Sequence, residues 1–496
     1  MLTEPTAGAG PATGRPAVHE LARLLPGRVP EAGSPAHDEE RSGYQRYRPH
    51  RPDVVVAART AADVATAVAF AADRGLPVAV QATGHGLSRA ARGGLLISTR
   101  AMDAVHVDPA ARTARVAAGV RWGRVVEEAA RFGLAPLSGS APHVGAVGYT
   151  LGGGIGLLAR RHGYAADHVR SLDVVTADGT LRHAGPDREP DLFWGLRGGR
   201  DNLGVVTAMV VDLVEVTTLF GGGLYHDARY APQVLRAYLE WTRGLGDATT
   251  SSVALVPFPD TPAVPAPLRG RHAVHVRVAH LGPDGERLVA PLRAAAPLLA
   301  DTLGLLPFTR SGTIHHDPPS PMPYTATNVL LSDVDDAVLD VVVDGALGAA
   351  SAGAQRPPVV ELRHLGGALA RPPAVPGAVG HRDAGFLLGL VTRLGGPAAD
   401  AGAARAAGAD AADAVEGAAR AAHDRLLDRV AALPGRVVGR SLNFLYGPHV
   451  DADTVRRAYH PADHARLILL KARHDPQNLF RLNHNLPPEP RRETLV

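Results

Sequence analysis

Two kinds of residue here could do chemistry: imidazoles in tight backbone and carboxylates in apolar segments. The stretch Gln81-Ala82-Thr83-Gly84-His85-Gly86-Leu87-Ser88 sets one histidine between two glycines directly after the apolar run LPVAV. Placed there, an imidazole can act as nucleophile, proton carrier or ligand, although a lone histidine in a turn is ordinarily a hydrogen-bonded structural residue. Further on, Val144-Gly145-Ala146-Val147-Gly148-Tyr149-Thr150-Leu151-Gly152-Gly153-Gly154-Ile155-Gly156 is the densest glycine cluster of the chain. Glycines in such a run let backbone amides approach a phosphate-bearing ligand.

The cluster also contains Gly154-x-Gly156-x-x-Ala159 with Asp173 beyond it, which is nominally a dinucleotide fingerprint. Its context argues against that reading. The following LLARRHG reaches Gly163 after barely two turns, and Asp173 runs into a hairpin instead of ending a parallel strand. No G-x-x-x-x-G-K-[ST] is present, so nucleotide hydrolysis has no support. The pairs His315-His316 and His162/His168 lack a recognised ligand spacing, and 23 histidines produce chance neighbours, so no metal is expected.

Within Val359-Val360-Glu361-Leu362-Arg363-His364, strand alternation puts Glu361 and Arg363 on one face and Val360, Leu362 and His364 on the other. A carboxylate beside a guanidinium is usually a structural ion pair and is an acid/base candidate if it lines a cleft. Near the C-terminus, Asn443, Tyr446, Asn483 and Asn485 surround a helix with a Pro nearby.

These groups need positioning elements. From Pro52, DVVVAA, a helix capped by Thr60 or Asp63 and ending at Gly75, and LPVAV read as a β-α-β unit leading into the histidine turn. Short strands LLIS, AVHV and ARVAAG follow, then the helix WGRVVEEAARFG and a hairpin turning at Ala177-Asp178-Gly179. Residues 217–435 carry longer strands (AVHVRVAHLG, VVELRHLGGAL, GFLLGLVTRLGG) and an Ala-rich helix, and read as a second domain.

Composition narrows the function. With 496 residues the chain can bury a substantial core, and its net charge of +3 comes from interspersed residues without a basic stripe, so nucleic acid is not an expected partner. There is no cysteine, which excludes disulfides, thiolate metal sites and cysteine nucleophiles. No apolar run reaches membrane-span length, and the N-terminus has no basic and apolar leader, so a cytoplasmic location is expected.

Taken in order, LPVAVQATGHG, APHVGAVGYTLGGGIGLLARRHGYAADHV, DVVTADG, DLFWGLRGGRDNLGVVT and RLILLKARHDPQNLF closely resemble FAD-linked oxidases of the vanillyl-alcohol-oxidase superfamily, in the berberine-bridge-enzyme-like branch. The resemblance spans roughly residues 45–216 and 436–490. It implies an α+β fold with a two-subdomain FAD-binding domain of the p-cresol-methylhydroxylase type (41–216, after a lead-in over 1–40). A C-terminal segment (436–496) would return to complete that domain, and a substrate domain on an antiparallel sheet (217–435) would cover the flavin.

The family histidine is bonded to the flavin 8α-methyl group, and His85 holds that position. A second link, from a cysteine, is impossible here because the corresponding stretch is Ala141-Pro142-His143-Val144-Gly145. By the same resemblance, Thr83, Gly84, Gly86 and Leu87 surround the tether, and Gly145, Gly148, Gly152, Gly153 and Gly154 line the pyrophosphate and ribityl chain. Val206 meets the adenine, Asn483 lies near the ring, and the modest side chain of Val144 favours access by O₂. Glu361 is the expected base, with Tyr149 as second candidate. The implied activity is oxidation of an alcohol or activated C–H of a small molecule, with secondary metabolism favoured over sugars and O₂ reduced to H₂O₂. A flavin dehydrogenase, a sugar oxidase and a non-catalytic flavin-binding protein are the rivals.

Overall fold

The computed structural model describes residues 15–351, 356–395 and 409–489. Three sheets organise them. The strand Val54–Ala57 leads through the helix Ala61–Asp73 to Val78–Gln81, and both pair in parallel with Leu95–Ser98. The first and second strands of the β-α-β unit are therefore not neighbours, because the LLIS strand lies between them. Of the two caps the sequence offers, Thr60 is the one used: its Oγ1 accepts from the Asp63 amide while the Asp63 carboxylate accepts from the Thr60 amide, each at 3.1 Å.

A five-stranded antiparallel sheet follows, in the order Val105–Asp108, Thr113–Ala117, Val205–Asp212, Val169–Val175, Leu181–Ala184. The last two form the hairpin expected around Asp178-Gly179. The C-terminal segment packs against both of these sheets' cores. Leu467, Ile468 and Leu470 of the helix Pro461–His474 join Leu192, Phe193 and Trp194, whereas Leu479 and Phe480 join Val54, Val56 and Val78.

The third sheet is nine-stranded. Its centre runs Thr218–Asp227, His272–His280, Thr249–Pro257, Val359–His364, Phe386–Arg393, Tyr324–Leu331, all antiparallel. On one face Val253, Val276, Val360, Leu362 and Leu388 pack beneath the helices Ala231–Arg243, Asp336–Ser351 and Ala409–Ala431. By alternation the other face takes Ser252, Arg277, Glu361 and Arg363, and it turns towards the loop at Ile155, whose carbonyl accepts from Arg363 Nη1. The fold is α+β. No helix among the described residues is long and apolar enough to cross a membrane.

Several histidines are buried in a neutral state. Burial drives His50 down to about 4, and His364 and His423 each to about 3. Unfolding returns them to their ordinary value of 6.5, so below that pH the unfolded chain binds more protons than the folded one. The stability they contribute is complete above pH 6.5 and is lost as the pH falls towards 3 to 4. The expected melting temperature falls steadily over that window; a flat profile between pH 6.5 and 4.5 would contradict the assignment.

Candidate active site

The turn after Val78–Gln81 is held from both sides. The Tyr44 amide donates to Thr83 O and the Gln45 amide to Gly84 O. Gly84 has φ +68, and a β-carbon there would lie 2.5 Å from the Gly43 Cα. Gly84 is thus required by its conformation and by the close passage of the 43–45 segment. Gly86 differs, because the nearest neighbours of a β-carbon there would be Arg200 and Tyr446 across the cavity.

Between the two glycines, His85 Nδ1 hydrogen-bonds Thr83 Oγ1 at 3.0 Å, and Thr83 Oγ1 also accepts from the Gly145 amide at 3.2 Å. One threonine therefore couples the histidine turn to the glycine cluster. The ring stacks on Tyr44 with centroids 3.9 Å apart, and His143 sits 4.8 Å away. Tyr324 Oη donates to the His85 carbonyl. The second nitrogen, Nε2, is buried with no partner. Burial, reinforced by nearby His143 and Arg121, pushes the imidazole down to about 3, so it is neutral at physiological pH with one nitrogen uncommitted.

The cavity at this ring has a volume of about 270 Å³. Of the residues proposed from sequence to contact the cofactor, Thr83, Gly84, His85, Gly86, Leu87, Val144, Gly145, Gly148, Tyr149 and Val206 line it. A β-carbon at Gly148 would meet nothing within 4 Å, so this glycine borders open space.

Gly152, Gly153 and Gly154, expected along the pyrophosphate and ribityl chain, are not among the residues that line this cavity. A β-carbon at Gly152 would strike the Asn443 amide and one at Gly154 would strike the Tyr149 ring, whereas Gly153 has ordinary contact room but a φ of +104. Gly152 and Gly154 thus serve close packing, and Gly153 a backbone conformation. Asn483 is likewise set back, buried with its Nδ2 donating to Asp201 O at 3.2 Å, and Leu482 reaches the cavity instead.

The two catalytic candidates also separate. Tyr149 lines the cavity with its hydroxyl buried and unpartnered, and burial raises its pKa well above the usual phenol value. Glu361 does not line it. Its Oε1 accepts from Arg277 Nη1 at 2.9 Å and its Oε2 from Arg363 Nη2 at 3.2 Å. Burial opposes its charge, but the Arg363 and Arg277 guanidiniums prevail and hold the carboxyl far below the carboxylate range. Arg363 is the residue of this strand that reaches the cavity. A carboxylate clamped in this way positions the two arginines and is a weak proton acceptor.

Arg200, Ser140 and Tyr324 line the cavity without having been read from the sequence. Arg200 has φ +56 and contacts Asn443 Oδ1 at 3.3 Å; its sequence signal is only a charged residue after two glycines. Asn443 and Tyr446 line it too. His381, Asp383 and His460 bring ligand-type atoms within 4.8 Å of one another. However, His381 Nε2 lies 3.0 Å from Arg457 O and His460 Nε2 accepts from the His381 amide, so both rings brace the chain. The neighbouring Arg382 pairs with Asp167 at 2.6 Å.

Residues 52–185 match the FAD binding domain family model, and residues 446–487 match the model for berberine and berberine-like proteins. The (R)-6-hydroxynicotine oxidase of Paenarthrobacter nicotinovorans is 30% identical over 451 residues, 88% of this chain and 92% of that one. The crystal structure of 6-hydroxy-D-nicotine oxidase from Arthrobacter nicotinovorans superposes with a TM-score of 0.79 at 26% identity, covering 94% of this chain and 98% of that one. Glucooligosaccharide oxidase from Acremonium strictum, described as carrying 6-S-cysteinyl, 8α-N1-histidyl FAD, shares the fold at 18% identity with a TM-score of 0.78, covering 95% and 99%.

Proposed function

Because the chain belongs to the berberine-bridge-enzyme-like FAD-linked oxidoreductases, we propose that it is an oxidase whose FAD is tethered once, through His85, and that it oxidises an alcohol or activated C–H of a small molecule. The observation that carries this reading is the neutral His85 imidazole, with one nitrogen held by Thr83 and the other unpartnered, at a cavity walled by Gly86, Gly145 and Gly148. A neutral nitrogen with no hydrogen-bond partner is what a covalent bond to an electrophilic carbon requires. The donor set fits a flat cofactor: a stacked ring beneath the turn, and open space where Gly148 lacks a side chain.

Bound FAD supplies the two-electron acceptor and the route to O₂. The protein does the rest. Thr83 fixes the His85 ring through Nδ1, and Tyr44 holds it by stacking. Val144, at the cavity wall, leaves room for O₂. A second link of the kind named for the Acremonium protein has no counterpart, since position 141 is alanine and the chain has no cysteine. Tyr149 offers its free hydroxyl to the reacting centre, while Glu361 acts through Arg277 and Arg363.

The substrate is a small molecule, with a step in secondary metabolism preferred to sugar oxidation. Anaerobic mixing with a panel of alcohols, amines and polyketides followed by admission of air tests the reading: bleaching of the flavin and rapid return of its colour are expected. Slow return would favour a dehydrogenase, and no bleaching with any compound would favour a binding protein. Tyr149→Phe should keep the flavin and lower kcat by roughly fivefold, the value of one hydrogen bond of about 1 kcal/mol; an unchanged kcat would remove Tyr149 from the reacting centre.

A further inference from the structure

Glu361 and its arginines do more than close an ion pair. Register places Arg277, Ser252 and Arg363 side by side across three strands, with His275, Ala254 and Glu361 in the next row. The small side chains of the central strand, Ser252 and Ala254, leave the space across which Glu361 reaches Arg277. The cluster therefore holds two guanidiniums, 8% and 9% exposed, against one carboxylate.

Among the described residues no second carboxylate pairs with either guanidinium. His275 Nδ1 accepts from Arg277 Nε at 3.1 Å, so that ring is neutral and adds no cation. Asp317 acts on Arg363 through space, but it accepts from Ser140 Oγ at 2.6 Å and forms no ion pair with either arginine among the described residues. Two guanidiniums thus share one directly bonded carboxylate, and a buried charge without its own partner is costly unless an anion joins it. Arg363 Nε, His275 Nε2 and Tyr149 Oη are moreover buried without partners. Arg363 and Ser140 line both the main cavity and a small adjoining void of about 10 Å³ that also takes Arg277, Ser252 and His315, so Arg363 carries the charge to the main cavity with Arg277 behind it.

We propose that the substrate carries a carboxylate, and that Arg363, at the cavity wall, binds it together with Arg277 of the adjoining void. This rests on the oxidase reading above and narrows its substrate class. A carboxylate suits the site because its two oxygens match the fork of a guanidinium, whereas a neutral hydroxyl would leave the charge unpaired. Glu361 then has a definite role as an internal carboxylate that orients both arginines and competes with the incoming one.

Calorimetric titration of the purified holoprotein with benzoate and with benzamide, in chloride-free buffer, tests this. Benzoate should bind roughly tenfold or more tightly than benzamide, as expected for a charge-assisted pair, and Arg277→Met should lose that margin while Arg277→Lys keeps part of it. Glu361→Gln should tighten benzoate, because the internal competitor is gone; a merely structural ion pair predicts weaker or unchanged binding. Equal affinity for the two probes, or no tightening in Glu361→Gln, overturns the proposal even if Arg277→Met fails to fold. A colourless protein that still prefers benzoate would sink the flavin reading alone, and a yellow one without preference would sink this one alone.

Discussion

His85→Ala is expected to abolish covalent flavin. After acid precipitation the yellow chromophore of the native protein should remain with the pellet and follow a peptide containing His85, whereas that of the variant should pass entirely into the supernatant. The reason is local: His85 is the histidine of the cavity turn whose second nitrogen is buried and unpartnered, and no cysteine exists to supply another link. The cavity loses only one ring, while the Gly145 amide keeps its Thr83 partner, so the variant should still bind FAD reversibly. Chromophore retained in the variant pellet would place the tether elsewhere. Free flavin from the native protein would refute the tether while leaving FAD binding intact.

Lys471→Met is expected to cost about 3–5 kcal/mol of stability, the usual penalty for removing one partner of a buried ion pair. Lys471 is the only lysine of the chain and is fully buried. Its ammonium donates to Asp475 Oδ2 at 2.7 Å and to the carbonyls of Asn202 and Phe480, each at 2.9 Å, so all three hydrogens are placed. Asp475 in turn accepts from the amides of Leu479 and Phe480. The network ties the helix Pro461–His474 to the Arg200–Asn202 turn beside the cavity. Chemical or thermal unfolding should show the loss, and flavin content should fall with it. A variant within 1 kcal/mol of the native protein, on the ordinary scale of surface substitutions, would show that the pair is expendable.

Both predictions draw on residues that differ in how readable they are. The histidine turn was legible because its flanks are: an apolar run ends in glycines, and the next glycine cluster and the C-terminal segment follow in a specific order. The strand holding Glu361 was legible too, since a period of two put Val360 and Leu362 under the helices and Glu361 with Arg363 on the opposite face. What that period could not show is the neighbour across the face. Arg277 lies 84 positions away in sequence, and it is Arg277 together with Arg363 that turns a candidate base into an ionised, clamped carboxylate.

The glycine cluster divides in the same way. Its composition signals close backbone approach, yet only the packed structure distinguishes Gly145 and Gly148, which face the cavity, from Gly152 and Gly154, which make room for Asn443 and the Tyr149 ring. Arg200 and Tyr324 reach the site from segments whose local sequence says nothing of it. The sequence by itself determined the α+β alternation, the family, the position of His85 and the absence of any thiol, because each is a matter of local period, order or composition. Tertiary structure alone decided which side chains share the cavity and what charge they present there, because those depend on contacts between residues far apart in the chain, and the ionisation of a buried group is set by the partners those contacts supply.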